Sequence, residues 1–154
     1  MHNIKSLSRF IVIFGLLISA FVSFPQAVSA AAPAVAPAAS GKRIVVNLAQ
    51  QHVYAYQGNS LVFSTRANIN GARRGTFHVE TKMPMAASYV LGWRLPYWLG
   101  IYYGPGGIEN GFHGYSLRNT GGIATNSLGC IVMPTAAAAR LYAWASMGTP
   151  VMIY

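Results

Sequence analysis

What the sequence lacks narrows its chemistry first. In 154 residues there is no Asp, one Cys, and only two acids, Glu80 and Glu109. A lone Cys130 cannot close an intramolecular disulfide. Four scattered His, without CxxC or HExxH spacing, offer no zinc site, so no metal and no other cofactor is expected. Only one pair of carboxylates exists for any mechanism that divides its work between two acids. Without Asp, the Ser-His-Asp triad in its usual form is excluded. Against the two acids stand eleven Lys and Arg, a formal charge of +9. These cations are dispersed, with Lys42-Arg43 and Arg73-Arg74 the local pairs, and no aromatic-basic recognition module is legible. Nucleic acid is therefore not an expected partner, and anionic envelope polymers are.

What is present begins with an export pattern. Lys5 and Arg9 precede an apolar run from Phe10 to Phe24, and Ala27-Val28-Ser29-Ala30 supplies the small residues that a signal peptidase reads. Residues 1–30 are expected to be a signal peptide cleaved after Ala30. The apolar run falls short of the roughly twenty residues of a spanning helix, so membrane contact is expected only through this segment if it stays uncleaved. The expected location is the periplasm, the cell wall or the extracellular side. Residues 31–41, AAPAVAPAASG, carry no charge and no pattern that would bury a face, and read as an Ala/Pro linker. A single folded domain is expected over residues 42–154, long enough for one compact core.

That domain reads as mainly β. Ile44 to Leu48 is β-branched, His52 to Tyr56 alternates up to a turn at Gln57-Gly58-Asn59-Ser60, and Leu61 to Ala67 returns as its partner. Gly75 to Glu80 and the aromatic Tyr97 to Tyr103 predict further strands, the latter closed by Gly104-Pro105-Gly106-Gly107, a turn or lid. One helix is predicted near the C-terminus, with Pro134 at its first position, Leu141, Trp144 and Ala145 on one face, and Gly148 ending it. Thr149 to Tyr154 closes as a strand. Many short strands with one late helix predict a β-sandwich or barrel.

The chemistry concentrates between Phe112 and Met133, FHGYSLRNTGGIATNSLGCIVM, where His113 precedes Cys130 by seventeen positions. A thiol is only slightly ionised at neutral pH, so a nucleophilic Cys gains from an imidazole that takes its proton or holds it as thiolate. Gly129 lets the backbone pass close to a carbonyl, and the amides of Gly129 and Cys130 are candidate oxyanion donors. The bland alternative is that Cys130 is a small buried hydrophobe.

His113-Gly114 followed by Ser127-Leu128-Gly129-Cys130 resembles the signature of the L,D-transpeptidases, HG, a loop, then S/T-H-G-C. Gln50-Gln51 in the opening hairpin, Gly75-Thr76-Phe77, Leu95-Pro96-Tyr97-Trp98 and Gly148-Thr149-Pro150-Val151 are similar to other family segments, and the likeness spans Lys42 to Tyr154. The resemblance implies a metal-free β-rich acyltransferase acting on peptidoglycan tetrapeptide stems. A Cys thioester would form with release of D-alanine and be resolved by a stem amine, a protein amine or water. By carry-over Cys130 is the nucleophile and His113 the general base, with Gly129, Ser127 and Gly114 shaping the loop and the oxyanion site. Two positions depart from the family: Leu128 stands where it has His, and Val132 where it has Asn or Arg. These departures keep open a weakened or inactive peptidoglycan-binding relative, or an L,D-carboxypeptidase. Arg118, Trp98 and Tyr103 are candidate substrate contacts, against the plainer readings of solvated charge and core packing.

Overall fold

The computed structural model describes residues 41–88 and 90–154. The expected signal peptide, and the expected linker apart from Gly41, lie outside the described residues. Strands β1 (Lys42–Asn47), β2 (His52–Gln57) and β3 (Ser60–Arg66) form an antiparallel meander. The β-branched and alternating residues fit a half-buried pleat, and Gly58 supplies the left-handed φ of +57° that the β2–β3 turn requires. Strand β4 (Gly75–His78) and the last strand, β11 (Pro150–Ile153), complete a five-stranded sheet in the order β3-β2-β1-β11-β4. In it β11 runs parallel to β1 and antiparallel to β4.

A second sheet holds β5 (Thr81–Ala87), β6 (Arg94–Tyr103), β7 (Glu109–Gly114), β8 (Ser116–Leu117), β9 (Ile123–Ala124) and β10 (Ile131–Met133). Its path is β10-β7-β6-β8-β9, with β5 also paired to β6. The core lies where Ile44, Val46 and Val53 of the first sheet meet Leu99, Ile101, Phe112 and Ile131 of the second, all essentially buried. Each such side chain contributes about 1.5–3 kcal/mol by leaving water.

Helix α1 (Thr135–Trp144) packs Ala138 and Leu141 into this core. Its last carbonyls are met from both sheets, by Lys42 Nζ on Trp144 O at 2.8 Å and Lys82 Nζ on Ala145 O at 2.7 Å. Two cations thus cap the negative end of the helix dipole. The mainly β architecture with one C-terminal helix is the one expected, with adjusted boundaries. Pro134 is the N-cap rather than the first helical residue, because its ψ of 136° is extended while its carbonyl accepts the first helical bond from Ala138 N. The helix also stops before Gly148. Ala145 turns extended and Ser146 N bonds Thr149 Oγ1, so Gly148, at φ +76°, serves the following turn. Among the described residues no helix is long and apolar enough to cross a membrane.

Candidate active site

The site is built on β7 and β10. These strands pair in parallel, Ile131 with Phe112 and Val132 with His113, so the residues before β10 emerge beside the same end of β7. The sequence separation of His113 and Cys130 collapses in this way, and both line one cleft of about 600 Å³. On its other edge β10 is held by Asn68, whose amide and carbonyl exchange bonds with Val132. Residues 68–70 continue as a clamp on the Cys loop. Ser127 Oγ donates to Asn70 O at 3.0 Å and also lies against Cys130 O, and Tyr102 donates its hydroxyl to Gly129 O at 2.9 Å. Burial holds the Tyr102 phenol above its ordinary range, which keeps it a donor.

His113 is 3% exposed, and its Nδ1 lies 2.6 Å from Gly114 O. A carbonyl can only accept, so the proton sits on Nδ1 and the lone pair on Nε2, the tautomer a general base needs. Its ring stacks on Trp98, centroids 5.8 Å apart. Burial pushes the imidazole below its ordinary 6.5, more than the Gly114 hydrogen bond raises it, so at neutral pH the ring is uncharged.

Burial likewise pushes the Cys130 thiol above its ordinary 9.0. A hydrogen bond from the Gly111 amide opposes this, and the Glu109 carboxylate adds to it. The resting pair is thus neutral thiol and neutral imidazole, an arrangement for base catalysis at the moment of attack rather than a stored thiolate. Sγ faces Asn110 Oδ1 at 3.6 Å. Asn110 also explains Gly129. At φ +116° that residue is in the left-handed half of backbone space, and a Cβ there would lie 2.6 Å from Asn110 Oδ1.

One expected role changes. The Gly129 amide donates to Asn70 O at 2.8 Å and lies 3.3 Å from Ser127 Oγ, so it is bound within the loop and is not an oxyanion donor, which leaves the Cys130 amide as the candidate. Ser127 acts as a loop tie, and Gly114 contributes its carbonyl to His113. Trp98 and Tyr103 line the cleft, the first buried and the second half exposed. Arg118 does not line it; its guanidinium lies 5.4 Å from the ring centroid of Trp93, which does. Leu128 is 71% exposed on the cleft rim, whereas Val132 is buried in β10.

Sequence reasoning missed Asn110 and the polar set beneath Trp98. Thr81 Oγ1 donates to Glu109 Oε1 at 2.8 Å, and Trp98 Nε1 donates to Glu109 Oε2 at 3.2 Å. The rarity of acids was the available signal, since one of only two Glu stands four residues before His113.

Residues 41–153 match the family model described as the L,D-transpeptidase catalytic domain. The fold is similar to a solved L,D-transpeptidase from Stackebrandtia nassauensis, at 21% identity and TM-score 0.59, covering 77% of this chain and 58% of that one. It is similar to one from Mycobacterium smegmatis at 19% identity and TM-score 0.55, covering 73% and 58%. A third, solved in complex with imipenem, shares 16% identity at TM-score 0.57, again covering 73% and 58%. The chain thus spans under two thirds of the length of these structures. No curated protein matches it.

Proposed function

The chain belongs to the L,D-transpeptidase catalytic domain family, and from that premise we propose that it is an exported cysteine acyltransferase acting on peptidoglycan tetrapeptide stems. The observation that carries this reading is the convergence on one cleft of a single Cys and a buried neutral His with its Nε2 lone pair free. His113 Nε2 takes the Sγ proton as Cys130 attacks the carbonyl between the third stem residue and the terminal D-alanine. The oxyanion forms beside the Cys130 amide. As it collapses, the C–N bond breaks, the imidazolium returns its proton to the leaving amine, and D-alanine departs, leaving a thioester. An amine or water then adds to the thioester carbon, and the thiolate leaves with the proton that His113 has taken from the nucleophile.

The export pattern of residues 1–30 and the basic charge support action in the envelope, at the periplasm or the cell wall. A second reading, a stem-binding relative with weakened chemistry, draws on the apolar Leu128 and Val132 and on a thiol that faces Asn110 rather than the imidazole.

Intact-protein mass spectrometry with a carbapenem and with tetrapeptide muropeptides, comparing wild type with Cys130→Ala, separates the two. The enzyme reading expects a covalent adduct and D-alanine release, both absent in the variant. Folded protein that gives neither adduct nor turnover favours the binding relative, and the product mass distinguishes cross-link from hydrolysis.

A further inference from the structure

Glu109 is the only described cleft-lining residue with a formal charge, and the charge is negative in a chain whose cations outnumber its acids eleven to two. The carboxylate is built into place. Thr81 and Trp98 each donate to one of its oxygens, and Gly100 gives it room, since a Cβ there would lie 2.1 Å from Oε1. The strand register sets this up: Thr81 pairs with Gly100, and Gly100 with Gly111, so a side chain from β5 reaches across a bare strand to one on β7. A carboxylate accepts about four hydrogen bonds, and these two fix it while leaving acceptor capacity free.

In acylation this charge is a handicap. A fixed anion near Sγ opposes the charge that the thiol must develop, and it repels the terminal carboxylate of a stem. A group that hinders the first half-reaction, yet is held by two donors and an obligatory glycine, fits a task in the second. The wall around it is apolar and open to solvent, with Met83 at 40%, Met85 at 42%, Ile108 at 50% and Leu128 at 71% exposure.

We propose that Glu109 marks the acceptor side of the cleft, holding the head of a primary alkylammonium ion while the apolar wall takes its methylene chain, so that an amine rather than water resolves the thioester. This rests on the acyltransferase reading above and narrows it to amine transfer. In the step itself the bound ammonium loses one proton to solvent and its nitrogen attacks the thioester carbonyl. The C–N bond forms, the C–S bond breaks, and the second proton passes through His113 to the departing sulfur. The products are an amide, the free thiol and one released proton.

The test follows the two half-reactions separately in full-length protein. Carbapenem acylation is timed by intact mass, and the ratio of amide to acid product is measured with a tetrapeptide muropeptide donor and cadaverine as acceptor. Glu109→Gln is expected to acylate at least as fast as wild type while its amide-to-acid ratio falls about tenfold, the scale of one lost charge-assisted contact. In wild type, added salt is expected to depress transfer to cadaverine but not to hydroxylamine, which is uncharged at neutral pH. This arm needs no variant to fold. Acylation with an unchanged product ratio in Glu109→Gln, or equal salt sensitivity of the two acceptors, would overturn the inference and leave the acyltransferase reading standing. Wild type that never acylates would bring down that reading first.

Discussion

The two sheets are made differently. In the first, β1, β2, β3 and β11 contain no glycine and are dense in Val, Ile and aromatic residues, so the sheet is held by side chains packed against side chains. In the second, Gly100, Gly111 and Gly114 lie within β6 and β7, Pro84 and Pro96 interrupt β5 and β6, and Tyr97 takes a φ of +59° that a bulky residue rarely adopts. Here strands give up side-chain volume so that functional groups can approach the backbone. At Gly111 an added Cβ would lie 2.1 Å from Leu99 O, which leaves no space for any other residue. Both sheets fill the core, but the residues lining the cleft all lie on the second sheet and its loops, and the strain at Tyr97 lies there too.

That division can be broken by substitution. Ile44→Ala, deep in the first sheet, is expected to cost about 2–4 kcal/mol in denaturant unfolding while leaving carbapenem acylation of the folded protein unchanged. A loss of acylation at full folding would contradict the division. Gly129→Ala is expected to do the reverse, slowing acylation by about a hundredfold through displacement of Asn110 and Sγ, with a smaller change in unfolding midpoint.

Acid is expected to act through the second sheet. Folded His113 holds its proton less tightly than the unfolded chain does, so below about pH 6.5 the unfolded state binds more protons and stability falls as pH falls. A thermal-melt series should show this slope, and His113→Gln should flatten it; a slope that survives the substitution would assign it elsewhere. The smallest expected effect belongs to Arg118→Ala, within about 0.5 kcal/mol in stability and with little change in acylation, because its guanidinium lies over the Trp93 ring and does not itself line the cleft.

The same contrast explains what could be read from sequence. The first sheet was legible because alternation and turn chemistry are local: His52 to Tyr56 and the Gly58 turn declare themselves within a dozen residues. Strand β5, with Met83-Pro84-Met85 exposed, carries no such pattern, and β7 offers one apolar side chain, Phe112, among glycine and polar residues, its place set by pairing with Leu99. Motif context singled out Cys130 and His113, and the strands bring both to one cleft. Asn110 and Glu109 were not singled out, because their roles arise only from cross-strand register. The Gly129 amide was misassigned because its acceptor, Asn70 O, lies 59 positions away in a segment without periodicity.

The parallel pairing of β7 with β10 has one more consequence. His113 and the residues that follow Cys130 are fixed by the ladder between two strands, not by the polypeptide joining them, and Gly121 and Gly122 lie exposed at the tip of that joining segment with open space around each. A backbone cut there is expected to disturb little packing around either group. The fragment after the cut would supply β9, β10, α1 and β11; β9 pairs with β8 of the other fragment, and β11 seats between its β1 and β4. On the function proposed above, a cut there would leave the base His113 in one fragment and the nucleophile Cys130 in the other, and the cleft that both line would form only when the two assemble.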